Sequence, residues 1–143
     1  MIAVDTNILV YANRRDMPDW HESAKDSLER LAAGRASWGL PWSVVHEFIA
    51  VVTRLKQSPA TLDEAFAFVR RLTSADSCIT LAEPVDYLPV LEELATSGRA
   101  TGPLVFDARI AATCVAHGVR ELWTADHDFG RFPSLRTRNP LIG

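Results

Sequence analysis

The chain has 143 residues, 48% of them apolar and 23% charged, a profile that fits one soluble globular domain over residues 1–143 and leaves no room for two. Its apolar runs fall short of the ~20 residues that span a bilayer, Met1 leads straight into Ile2-Ala3-Val4-Asp5 without a basic and apolar leader, and a cytoplasmic protein with no membrane partner is expected. The net charge of −3 argues against an ordinary cationic binder of nucleic acid, although 13 of the 15 basic residues are Arg, whose planar fork suits phosphate.

In chain order, Ile2-Ala3-Val4 is a short apolar strand, and Ile8, Leu9 and Ala12 begin a helix after it. Trp20, Ala24, Leu28 and Leu31 recur at helical spacing after Pro18-Asp19 and stop at Gly34, and Ala36 to Leu40 reads as a second strand. Ser43 to Leu55 is a helix apolar nearly all round. Thr61-Leu-Asp-Glu64 is a capping box opening a helix with Leu62, Ala65, Phe66, Val69 and Leu72 on one face. Cys78 to Ala82 is a strand, and the next helix turns Val85, Leu88, Leu91 and Leu94 inward and ends at Gly98. Residues 104–117 form another apolar helix closed by Gly118, before a strand over Glu121 to Thr124. Strands separated by helices imply right-handed crossovers, so the class is α/β with a short, mostly parallel sheet covered on both faces. Cys78 and Cys114 lie far apart in apolar surroundings with no C-x-x-C pattern and read as reduced core thiols.

Asp5 directly follows the first strand, and Asp126 lies two residues beyond the strand ending at Thr124, with Asp128 close behind. Carboxyl ends of parallel strands border the crevice where α/β sheets bind ligands. Each acid also has a structural reading, as a helix cap at Asp5-Thr6-Asn7 and as a polar turn at Asp126-His127-Asp128. Glu47 has Val44, Ala50 and Val51 as helical neighbours, and Asp107 has Leu104, Ile110, Ala111 and Cys114. A carboxylate left alone on such a face costs several kcal/mol or keeps its proton. A satisfied cap or core salt bridge remains the alternative at both positions. Taken together, four acids are better explained by convergence, with a hard divalent cation as counter-charge; oxygen ligands without paired His or Cys select Mg²⁺ or Mn²⁺. Such a cation serves phosphodiester hydrolysis. Removing Asp5, Glu47, Asp107, Asp126 and Asp128 from the count of −3 leaves +2 for the rest, which suits a nucleic-acid substrate.

Four segments now stand in order: Ile2-Ala-Val-Asp5-Thr6-Asn7-Ile-Leu9, Glu47 preceded by Pro41-Trp-Ser-Val-Val, Phe106-Asp107-Ala-Arg-Ile-Ala-Ala112, and Thr124-Ala-Asp126-His-Asp128-Phe129. In that order and spacing the sequence resembles the PIN-domain ribonucleases, and among them the VapC toxins of toxin–antitoxin pairs. The resemblance implies a three-layer α/β/α sandwich, Mg²⁺-dependent RNA cleavage, and an acidic quartet of Asp5, Glu47, Asp107 and Asp126. Of these, Asp5, Asp107 and Asp126 would hold the metal, Thr6 and Thr124 would steady the cluster through their hydroxyls, and Asp128 would assist. It also implies a homodimer and a cognate antitoxin laid across the acidic groove. Arg109 stands where many relatives carry an uncharged side chain.

Arg14, Arg15 and Arg131 flank the acidic ends and are the candidate RNA-backbone contacts, against ordinary surface charge. His127 reads as a solvent-facing turn residue, His46 is expected to point away from Glu47, and His117 suits a helix C-terminus. Trp20, Trp38, Trp42 and Trp123 are expected in core or interface rather than as base-stacking platforms. Two competing functions were weighed. A PIN-like binding module without turnover gains nothing from unpaired buried acids. A phosphohydrolase of the haloacid dehalogenase type would want Asp at position 7, where Asn stands, and a late catalytic Lys, whereas no Lys follows Lys56.

Overall fold

The structure, a computed structural model, describes residues 1–142. In chain order it contains β1 (Ile2–Val4), α1 (Thr6–Asn13), α2 (Pro18–Ala33), β2 (Trp38–Pro41), α3 (Trp42–Arg54), α4 (Leu62–Thr73) and β3 (Cys78–Leu81). Then follow α5 (Tyr87–Ser97), α6 (Leu104–Ala116), β4 (Glu121–Trp123), a 3-10 turn (His127–Arg131) and β5 (Arg136–Arg138). The strands form one sheet in the order β3-β2-β1-β4-β5, every described pairing parallel.

That order dictates the layers. The chain steps from β1 to β2 to β3 in one direction, then jumps back past β1 to β4. Right-handed crossovers therefore put α1 to α4 on one face and α5 with α6 on the other. The packing agrees: α1 lies against α2 and α3, α3 against α4, and α5 against α6. The reversal leaves a crevice beyond the carboxyl ends of β1 and β4, the place where open α/β sheets take ligands.

Local chemistry sets the element ends. Pro18 opens α2, where its missing N–H costs nothing, and Thr61 with Glu64 forms the expected capping box on α4. One apolar core runs from Ala3 to Leu141 and includes Trp38, Phe48 and Ile110, with Phe48 stacked on Phe68 at 4.9 Å between ring centroids. Cys114 is buried and Cys78 partly so, both as free thiols. Among the described residues, no helix is long and apolar enough to cross a membrane.

Two helix faces differ from expectation. On α4 the buried aromatic is Phe68, while Leu62 and Phe66 are exposed. Val85 precedes α5 and is fully exposed, as is much of Leu88; Leu91 and Leu94 face the core as expected, and Tyr87 and Val90 join them. Apolar residues on nearly every side of that segment hid its phase. β5 was not expected, because Arg136, Thr137 and Arg138 are all exposed and show no apolar alternation. It forms through backbone pairing with β4, and Arg138 lies over the Trp123 ring. Charged side chains on an edge strand also discourage pairing with another sheet.

Candidate active site at the carboxyl ends of β1 and β4

Asp5 leaves β1 into the first turn of α1 with only 4% of its surface exposed. Its backbone N–H donates to the Trp123 carbonyl at 2.9 Å, which continues the β1–β4 pairing up to the acid. One carboxylate oxygen accepts from the Thr6 N–H at 2.7 Å, as a helix cap does. The other accepts from the Thr124 hydroxyl at 2.7 Å and from Asn7 Nδ2 at 3.2 Å. Cap and site are thus one arrangement. The Thr124 hydroxyl in turn accepts from Asn7 Nδ2 at 3.3 Å and from the Asp126 N–H at 3.0 Å. Asn7 Oδ1 accepts the Ala125 N–H at 3.1 Å, and Asp126 caps the 3-10 turn by accepting the Asp128 N–H at 2.8 Å. β5 completes the frame, since the Thr124 N–H donates to the Arg138 carbonyl at 2.9 Å.

Asn7 is the residue that sequence reasoning left without a role. Its signal was present: a side chain with two donors and an acceptor, two positions after a strand-end acid, serves to tie two strand ends together. Thr124 joins the cluster through its hydroxyl, which donates to Asp5. Thr6 instead contributes its N–H, and its own hydroxyl is buried without a partner.

The electrostatics are those of crowded acids. Burial raises the Asp5 carboxyl from its ordinary 3.8 to about 7; the donors from Thr124 and Thr6 pull it down, while the charges of Glu47 and Asp107 push further up. Asp107, half-buried on α6, is raised to about 6 by desolvation and by Asp126, Asp128 and Glu47, with Arg131 opposing. Asp107, Asp126 and Asp128 each bring a carboxylate oxygen to within 4.8 Å of the others. The close trio thus contains Asp128 in place of Asp5, which is buried and fixed by its three donors. Three carboxylate oxygens beside a fourth and fifth acid fit a hard divalent cation.

Glu47 is exposed, not desolvated as its neighbours suggested. Val44 is buried beneath it, but Ala50 is also exposed, so this stripe of α3 lines a notch rather than the core. His46, expected to point away, borders the same notch, because helical neighbours lie only roughly 100° apart. Arg109 donates through Nε to Glu83 at 2.6 Å, and His117 caps α6 while donating to the Ala82 carbonyl. His127 is exposed on the 3-10 turn.

Two of the three candidate RNA-contacting arginines lie elsewhere. α1 has 8 residues and starts at the acids, which puts its far end roughly 12 Å away. Arg14 is buried there at 6% exposure, paired with Asp16 through Nε at 2.9 Å and Nη2 at 2.8 Å and donating to the carbonyls of Ser58 and Gln57. Arg15 borders a cleft of about 400 Å³ among α1, α2 and α4, away from the acids. Arg131 is exposed, and its Nη1 donates to the Gly98 carbonyl at 3.2 Å. Trp38 and Trp123 are buried, whereas Trp20 and Trp42 are each 39% exposed.

The family profile of the PIN domain matches residues 2–135. The chain belongs to the PIN-domain family. Within it, the chain is 37% identical to "VapC ribonuclease Mb2897" of Mycobacterium bovis over 100% of its own length and 97% of that protein. This likeness places it among the VapC ribonucleases. Its fold matches the crystal structure of VapBC2 from Rickettsia felis bound to a promoter DNA fragment, with TM-score 0.72 and 23% identity, covering 97% of this chain and 98% of that one. A toxin–antitoxin complex from Klebsiella pneumoniae matches with TM-score 0.62 and 20% identity over 98% of each chain. The expected α/β fold of the PIN type is therefore the observed one.

Proposed function

We propose that this PIN-domain chain is a Mg²⁺- or Mn²⁺-dependent endoribonuclease, the toxic member of a toxin–antitoxin pair, acting as a homodimer that a cognate antitoxin holds in check. The observation that carries the reading is the trio of Asp107, Asp126 and Asp128 oxygens within 4.8 Å of one another, together with a buried Asp5. The relative named VapC ribonuclease supports the substrate class, and the toxin–antitoxin complexes of the same fold support the partner.

In this reading Asp107, Asp126 and Asp128 would hold the cation, and the expected ligand Asp5 would add its negative charge beside them. A divalent ion bound there supplies Lewis-acid charge at the scissile phosphate and makes a water more acidic. The chain does the rest. Asn7 and Thr124 lock the two strand ends so that Asp5 and Asp126 keep a fixed separation without waiting on substrate. Glu47, exposed at the rim, takes the proton of the attacking water. A new P–O bond forms as the bond to the leaving ribose oxygen breaks, and solvent returns a proton to that oxygen. Arg131, whose charge acts on Asp107, is the arginine we assign to an RNA phosphate.

The competing functions fit less well. A module without turnover has no use for Asp5 held at about 7 and Asp107 at about 6, since desolvating acids and setting them near one another lowers stability. A dehalogenase-type phosphohydrolase would need an acid where Asn7 holds the strand ends together.

Purified protein should cleave RNA with Mg²⁺ or Mn²⁺ and stop in EDTA, and Glu47→Gln and Asp107→Asn should each remove most of the rate with the fold intact. Full cleavage by either variant at equal enzyme concentration overturns the assignment. Expression alone should arrest growth, and a small protein encoded alongside should relieve the arrest by direct binding. Harmless induction with active enzyme present would replace the toxin role with RNA processing.

A further inference from the structure

Beside the acids, α3 and α6 leave a notch of about 230 Å³. Ser43, His46 and Glu47 present one stripe of α3, at i, i+3 and i+4, and Phe106, Arg109 and Ile110 present the facing stripe of α6. Glu47 belongs to both places: it lines the notch, and its charge acts on Asp5 and Asp107. Whatever fills the notch therefore touches Glu47, one of the acids of the site.

The notch is built like a site. Its floor is Ile110, 2% exposed, and its rim is the Phe106 ring, 61% exposed, an unusual state for an aromatic side chain beside an acidic crevice. Ser43 is 8% exposed, and its hydroxyl has no hydrogen-bond partner among the described residues. A buried hydroxyl left unpaired destabilises the free protein, and a ligand that pairs it recovers that cost. Arg109 is steadied by Glu83 through Nε, while its Nη1 and Nη2 have no hydrogen-bond acceptor among the described residues. An aromatic face, an apolar floor, one buried hydroxyl that both donates and accepts, and a cation at the mouth match a flat heterocycle carrying a phosphate.

We propose that the α3–α6 notch holds the nucleobase flanking the scissile phosphate, stacked on Phe106 and hydrogen-bonded by Ser43, and so sets base preference at one side of the cut. This deepens the ribonuclease reading and rests on it. The volume admits one purine or pyrimidine and excludes a folded partner element. Arg109 here gains the role that the sequence left open, contact with the backbone of the held nucleotide.

The test separates binding from cleavage. Fluorescein-labelled hexamers of A, C, G or U, titrated in EDTA and read by anisotropy, should bind wild type with a preference of about fivefold or more, as one hydrogen bond supplies. Phe106→Ala should weaken the preferred hexamer on the order of tenfold, the loss of one stacked base. Ser43→Ala, which keeps the packing volume nearly unchanged, should flatten the ranking. Val105→Ala, on the same helix but outside the notch, should leave the ranking as in wild type. With Mg²⁺, sequencing of product ends should show the preferred base at one position beside the cut in wild type and not in Phe106→Ala. A wild type that cleaves but binds all four hexamers equally, or a Phe106→Ala that keeps the wild-type ranking, overturns the notch and leaves the ribonuclease reading standing. A wild type that neither binds nor cleaves overturns both.

Discussion

Replacing Asp107 by Asn should stabilise the metal-free protein at alkaline pH and leave it unchanged in acid. Asp107 has no hydrogen bond within the described chain, so the amide loses no partner that the carboxylate had. What it removes is a charge whose desolvation, together with repulsion from Asp126, Asp128 and Glu47, raises the carboxyl from 3.8 to about 6. Before solvent is considered, that rise corresponds to about 3 kcal/mol against the charged form. Asp107 is only half-buried, and screening by water reduces the figure to about 1 kcal/mol. The sign follows from the direction of the shift. The folded state holds the proton more tightly than the unfolded chain does, so the cost is absent below the ordinary 3.8, grows as pH rises toward 6, and is complete above it. At roughly 2–4 °C per kcal/mol for a chain of this size, the variant should melt about 3 °C above wild type at pH 8 in EDTA. At pH 4 the two should melt together. Excess Mg²⁺ should raise the wild-type melting temperature by preferential binding to the folded state, and raise the variant less. A variant that melts below wild type at pH 8, with an unchanged Mg²⁺ response, would make Asp107 a structural residue and the metal centre misplaced.

Thr124→Val removes the donor to Asp5 and the acceptor for Asn7 and Asp126; urea unfolding should show a loss of about 1–3 kcal/mol, and nuclease activity should fall with it. Arg14→Ala breaks the pairing with Asp16 and two carbonyl contacts, so the unfolding free energy from urea titration should drop by about 1–3 kcal/mol while RNA affinity stays at the wild-type value. Gly98→Ala puts a Cβ at 2.9 Å from the Leu94 carbonyl and 3.0 Å from that of Arg131, backbone atoms that cannot step aside, and should cost about 1–3 kcal/mol in the same assay.

The strands β1 to β4 and all six helices were legible because apolar residues recur at the right period and caps mark their ends. β5 was not, since its three exposed residues are ordered by β4 rather than by their own side chains. Asp5 and Asp126 were readable from their place after strands, and the network between them explains why each serves as cap and ligand candidate at once. Glu47 was chosen for a burial it does not have. Neighbours at i±3 and i±4 report the face of a helix, but whether that face meets core or cleft depends on the helix opposite, here α6. Arg14 and Arg15 follow the acid in sequence by about ten residues, and a helix carries them out of the crevice. Arg14's burial depends on carbonyls of Ser58 and Gln57, a tertiary contact that no local pattern announces.

The bond from Thr124 to Asp5 spans 119 residues of sequence. During synthesis at about 5–20 residues per second, Asp5 therefore waits roughly 6–24 s for the strand end that locks it. Until then β1 has no β4 beside it, Asp126 does not exist, and the acids cannot share a cation. If the proposed reading holds, a nascent chain lacks the assembled site and leaves the RNA it is being read from uncut. On that reading catalytic competence would arrive only with late translation, which would leave time for a co-produced inhibitor to be waiting when the site closes.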